Sequence, residues 1–207
     1  MMSNSAPPRR RAVQARSRAT VERILEAAAS LVAERGGDAA TMTEIAQRAG
    51  VVIGSLYQYF PDKAGVMAAL FERHGAGVRE MLIAAMAGTT SVDELASRME
   101  ALAERYFAQH RDDPMFRGLW AVVQTDPALQ ALDVADTLTN AQILFQAARP
   151  LFRRVDEDRL MAACALGLQL SVAAARFALA IPAPLGAHAA RTYSDMMRGA
   201  FLALEEG

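Results

Sequence analysis

The run from Thr41 to Lys63, TMTEIAQRAGVVIGSLYQYFPDK, gathers hydroxyl, amide and ammonium groups at short, regular intervals. Thr41 stands three residues before Glu44, the spacing at which a threonine hydroxyl and a glutamate carboxylate each satisfy a free backbone N–H of the other at a helix start. A two-turn helix is therefore expected over about Met42 to Ala49, with Ile45, Ala46 and Ala49 as its apolar stripe. Gly50 suits the left-handed conformation that ends a helix sharply. After Val51 a second helix is expected from about Ile53 to Phe60, stopped by Pro61. Two short helices across a glycine turn form the helix-turn-helix pattern. On the second helix Leu56 and Phe60, four apart, face a core. Ser55, Gln58 and Tyr59 project elsewhere, with Tyr57 at the border. Such hydroxyls and amides suit phosphate oxygens and base edges of a duplex groove. Gly54 would let the backbone approach closely, and Lys63 at the next helix start could share a phosphate with that helix terminus. Taken singly, Tyr57, Tyr59 and Phe60 would serve equally as core aromatics.

The register as a whole carries a resemblance. From Ala49 to Lys63 the run A-G-V-x-x-G-S-L-Y-x-Y-F-x-x-K resembles the signature of the TetR family of bacterial transcriptional regulators, and the likeness extends over about Thr20 to Leu70. It implies that Thr43, Gly54, Ser55, Tyr57, Gln58, Tyr59 and Lys63 are the DNA-contacting positions. The chain departs from the family at Val52 and Ile53, where a serine and a polar or basic residue are usual. That removes a cap and a phosphate contact and shifts weight onto Gly54 and Ser55.

Composition agrees with a helical protein. The chain has 207 residues, 53% of them hydrophobic, and a net charge of -1, which supplies no global attraction to nucleic acid. The local distribution does: residues 1–20 hold Arg9, Arg10, Arg11, Arg16 and Arg18 and no acid. Residues 1–18 read as a basic disordered arm that either lies along phosphates or is simply solvated. A lone cysteine, Cys164, excludes an internal disulfide and fits a reducing, cytoplasmic setting. Leu160 to Ile181 is long and apolar, but Gln169, Arg176 and many small residues favour a helix buried between subunits over a membrane span.

Periodicity predicts nine helices, an all-α fold. The first covers about Ala19 to Arg35. The fourth starts after Asp62, with Gly75 and Gly77 inside it as either a bend or a packing site. The fifth begins at Ser91-x-x-Glu94; the sixth and seventh follow Asp113-Pro114 and Asp126-Pro127. The eighth runs from Asp156 to Ile181 and the ninth from about Ala187 to Leu204. Residues 19–65 are expected to form a three-helix DNA-binding domain and 66–207 a six-helix effector-binding and dimerisation domain. The alanine-rich eighth and ninth helices suit a close four-helix interface, and hence a homodimer.

The function expected is a sequence-specific DNA-binding regulator, a repressor that leaves an inverted-repeat operator in double-stranded DNA when a small apolar effector binds. Candidate effector-lining residues are Phe107, Phe116, Trp120, Gln124, Asn140, Phe145, Cys164 and Gln169, each of which also reads as ordinary core. The alternative is a helical adaptor that uses the motif for protein contacts. His74, His110 and His188 flank no metal-ligand spacing, and no catalytic triad or phosphate loop is present, so neither an enzyme, a metal nor a cofactor is expected.

Overall fold

The structure, a computed structural model, describes residues 8–111 and 113–206, with the side chains of 14–111 and 113–204. Among the described residues there are nine helices and no strands: α1 (Pro8–Arg35), α2 (Met42–Ala49), α3 (Ile53–Tyr59), α4 (Lys63–Met86), α5 (Val92–His110), α6 (Pro114–Val123), α7 (Pro127–Ala148), α8 (Glu157–Ala180) and α9 (Ala183–Glu206).

Two boundaries differ from expectation. Helix α1 begins at Pro8, so residues 8–18 of the expected disordered arm belong to it; proline fits a first helical position, and arginine, alanine and glutamine propagate a helix well. Residues 1–7 of that arm lie outside the described residues. Helix α9 begins at Ala183, with Pro184 in its first turn, where the missing N–H would have had no intrahelical partner.

Two compact units are present. Among the described residues, one combines those up to Arg73 with Pro114–Leu129; the other combines those of His74–Asp113 with those from Gln130 onward. In the first unit α1 buries Ile24, Leu25, Ala28, Leu31 and Val32, and α2 and α6 pack against it. The sequence reading put α6 in the larger domain. It packs on α1 because two glycines let the elements interlock. A Cβ on Gly118 would stand 2.8 Å from both the Cγ1 and the carbonyl oxygen of Val32, and one on Gly37 would stand 2.3 Å from Val122 Cγ2.

The second unit is built on α5, α8 and α9, which pack on one another. Its core contains Leu95, Leu144, Phe152, Leu160, Cys164 and Phe201, with the Phe152 and Phe201 rings 6.2 Å apart. Tyr193 on α9 donates its hydroxyl to the Gly167 carbonyl on α8 at 2.7 Å. Gly75 turns out to be a packing site: its missing side chain makes room for the Asp136 carboxylate, whose oxygens lie 3.0 Å from where a Cβ would be.

Candidate nucleic-acid interface

Helix α2 starts and ends as its sequence demands. The Glu44 N–H donates to Thr41 Oγ1 at 3.3 Å, while the Thr41 N–H and hydroxyl donate to Glu44 Oε2 at 3.2 and 2.7 Å. The hydrogen bonds from Thr41, with Arg35 paired at 2.9 Å, hold the Glu44 carboxyl below the usual carboxylate range. At the other end Gly50 has φ 64° and ψ 38°, and the Val51 N–H reaches back to the Ala46 carbonyl at 3.0 Å, a Schellman-type closure. Sequence reasoning missed the residues that fix α2 against α1. Arg23 donates to the Ala49 carbonyl at 3.3 Å, and Arg48 donates to Ser30 Oγ at 2.8 Å and also pairs with Glu34. An arginine at the surface of a short helix looks in one dimension like any solvated charge.

Helix α3 buries Leu56 and, at its C-cap, Phe60. At about 100° per residue, Gly54 and Gln58 fall on the far side from Leu56, and both are exposed. Tyr57, expected at the core border, is 50% exposed, whereas Tyr59, expected to project outward, is half-buried. The helical wheel accounts for the exchange: Tyr57 lies about 100° from Leu56, Tyr59 only about 60° on the other side. Ser55 is half-buried, and Thr43 on α2 is exposed. Lys63 carries an unanticipated duty. Its ammonium donates to the carbonyls of Gly37 at 3.3 Å and Asp38 at 2.9 Å, tying the start of α4 to the turn after α1.

The expected effector residues are divided between the two units. Phe116 and Trp120 belong to the first unit, where Trp120 stands edge-on to Phe71 and Phe116, with centroids 5.7 and 5.9 Å apart. Gln124, at the end of that α6 segment, is exposed. In the second unit Phe107 is edge-on to Tyr193 at 6.3 Å and borders a cleft of about 230 Å³ with Arg111, Ala178, Ile181, Gly186 and Ala190. Cys164 is core, its thiol pushed up to about 12 by burial and therefore protonated at neutral pH. Phe145 packs against that same core.

Asn140 and Gln169 instead enter two polar clusters, Asn140 one between α4 and α7 and Gln169 one between α7 and α8. Arg79 pairs with Asp136, Asn140 Nδ2 donates to Asp136 at 2.9 Å, Thr137 donates to Gln169 Oε1 at 2.7 Å, and Gln169 donates to Asp133 at 3.3 Å. Burial raises the Asp133 carboxyl. Asn140 Oδ1 and Arg79 Nε are buried without a partner. In the same unit the His74 and His110 rings lie 4.9 Å apart, and His110 Nδ1–H donates to the Tyr106 carbonyl at 2.7 Å.

Burial, aided by His110, lowers His74 to about 4. The unfolded state thus binds the proton that the folded state refuses. Stability is fully present above the unfolded value near 6.5 and is lost as pH falls toward about 4. Thermal melts from pH 7 to pH 4 should show a decline on the order of 2 kcal/mol that His74→Phe makes shallower; an equally steep decline in that variant would remove His74 as its source.

Two family models match this chain: bacterial regulatory proteins, tetR family, over residues 24–77, and the tetracyclin repressor-like C-terminal domain over 93–187. The chain belongs to the tetR family. The first match contains the whole α2–turn–α3 device, and family members are transcriptional regulators, not enzymes. An uncharacterised helix-turn-helix regulator of Mycobacterium bovis is 46% identical over 56 residues, 27% of this chain and 30% of that protein. The repressor KstR of Mycolicibacterium smegmatis is 36% identical over 78 residues, 36% of this chain and 37% of KstR. This tetR-family chain thus spans about a third of the length of the curated relatives it matches. In fold it is similar over its length to SmeT, the repressor of the Stenotrophomonas maltophilia efflux pump SmeDEF. The TM-score there is 0.66 at 21% identity, covering 87% of this chain and 89% of SmeT. A tetR-family regulator of Streptomyces coelicolor matches with TM-score 0.66 at 23% identity, covering 90% and 97%.

Proposed function

We propose that this tetR-family protein is a cytoplasmic repressor that occludes an inverted-repeat operator as a homodimer and is released by a small, largely apolar effector. The observation that carries the reading is the outward face of α3. Gly54, Tyr57 and Gln58 stand clear of the core while Leu56 and Phe60 anchor the helix from behind. An amide of this kind can pair bidentately with adenine, and a tyrosine hydroxyl can reach a phosphate. The proposed contacts are Thr43, Gly54, Ser55, Tyr57, Gln58, Tyr59 and Lys63.

A dimer through α8 and α9 is supported by an apolar stripe on each: Leu166, Leu170 and Phe177 on α8, Leu185 and Met196 on α9, all exposed in the single chain. Helix α8 is also long and apolar enough to cross a membrane; a partner's helices would cover the same surface. Solved repressors of this fold include SmeT bound to triclosan, which supports a small-molecule trigger here. The mechanism requires only that the effector prefer a dimer whose reading heads are wrongly spaced; a tenfold loss of DNA affinity corresponds to about 1.4 kcal/mol of that preference.

Selection from random duplex DNA with the full-length protein tests the reading. Enriched sequences should be inverted repeats whose half-site centres are separated by whole turns of about 10 to 10.5 base pairs. Recovery of no enriched sequence would favour a helical adaptor instead.

A further inference from the structure

Helix α3 opens with two branched apolar side chains that the fold leaves exposed. Val52 is 75% exposed and Ile53 41% exposed. Val52 holds the N-cap position, yet its side chain makes no capping hydrogen bond; only its carbonyl is engaged, accepting from the N–H groups of Ser55 at 2.9 Å and Leu56 at 3.3 Å. Serine, threonine, aspartate or asparagine would serve the helix better at that position. Valine therefore contributes nothing there that the folded chain by itself rewards. Ile53 stands four residues before Tyr57, so the two share a face of the helix. Ile53 and the exposed Tyr57 ring thus make one apolar ridge beside Gly54 and Gln58, with exposed Val52 ahead of it at the N-cap, next to the proposed reading surface.

The chemistry of a duplex decides what such a ridge can meet. Phosphates are charged, and every functional group on a major-groove base edge is a hydrogen-bond donor or acceptor except the C5 methyl of thymine. From this we infer that Val52 and Ile53 are specificity-determining residues that read thymine methyl groups, fixing at least one A·T pair in each operator half-site. The inference rests on α3 being the DNA-reading helix and adds to it the identity of a base. Neither side chain has a hydrogen-bonding group, so neither can read guanine or cytosine edges. What they add is discrimination by shape and by exclusion of water from a methyl.

The test replaces each thymine of the selected operator, one at a time, with deoxyuridine, which removes the methyl and leaves the pairing edge intact. Dissociation constants are measured at fixed salt for the full-length protein, for Val52→Ser, which removes both γ-methyls, and for Ile53→Ala. One or two thymines per half-site should respond, each losing about fourfold in affinity, the worth of one buried methyl-sized group. The same swap should have almost no effect in whichever variant lacks the reader. Both side chains are exposed, so neither variant should melt below the parent, and Val52→Ser supplies a capping hydroxyl. An operator insensitive to every deoxyuridine swap would overturn the inference while leaving the regulator reading intact. So would a sensitivity that persists unchanged in both variants. Recovery of no operator at all would overturn both.

Discussion

Gly186→Ala is expected to destabilise the second unit by about 3 kcal/mol, measured as a lowered urea midpoint with unchanged slope. A Cβ at this position would sit 2.2 Å from the Ala178 carbonyl oxygen and 3.2 Å from its carbonyl carbon. Both are backbone atoms, so no flexible side chain can swing aside, and relief requires α9 to move away from α8. That movement would loosen the Tyr193 to Gly167 hydrogen bond and the apolar seam along the two helices. The matched control is Gly77→Ala in α4. There a new Cβ meets nothing within 4 Å, and removing a glycine from a helix interior should stabilise by roughly 0.5–1 kcal/mol. A Gly186→Ala protein that unfolds with the parent would show that the α8–α9 hairpin closes differently.

That contrast between two glycines shows where sequence reading stops. In one dimension Gly77 lies within a helical run and Gly186 just before the expected start of another, and neither letter tells what it faces. What separates them is the element lying opposite, which no local pattern encodes. Gly118 and Gly37 make the same point: they bring α6 onto α1, so Phe116 and Trp120, read as effector lining in a larger domain, belong to the first unit. Where local chemistry alone decides the structure, the sequence was fully legible. The Thr41–Glu44 box, the Gly50 closure and the Asp62 cap, which accepts from the Gly65 N–H at 2.8 Å, each needed only neighbours within four residues.

Polar groups were read less well. Arg79 and Asp136 are 57 residues apart and lie on helix faces that look solvated, yet their side chains are only 33% and 19% exposed and pair with each other. Lys63 was legible as a cation near the reading helix, but the two carbonyls it holds lie some 25 residues upstream. Tyr57 and Tyr59 could have been ordered correctly from the helical wheel, since that needs only the position of Leu56.

The second large effect concerns salt. A dimer making 6–10 phosphate contacts should lose about 10³- to 10⁵-fold in operator affinity between 50 and 200 mM salt, as counterions are released. Lys63→Met should flatten the log–log slope by about 1.8, because a dimer loses two cations worth about 0.9 each. The structure makes this prediction sharper. An ammonium has three N–H donors, and two of them already serve Gly37 and Asp38; one remains for a phosphate oxygen. Lys63→Met should therefore lower the melting temperature as well as flatten the slope. Lys63→Arg, which keeps the charge, should restore the slope more fully than the stability. Tyr57→Ala offers the complementary signature: an uncharged hydroxyl releases no counterion, so affinity should fall by about tenfold with the slope unchanged. If Lys63→Met melts earlier but retains the parent's slope, the lysine is a clamp on the turn after α1 and leaves the set of phosphate contacts. The same result would leave the duplex to Thr43 on α2 and to the proposed contacts on α3, Tyr57 and Gln58 foremost.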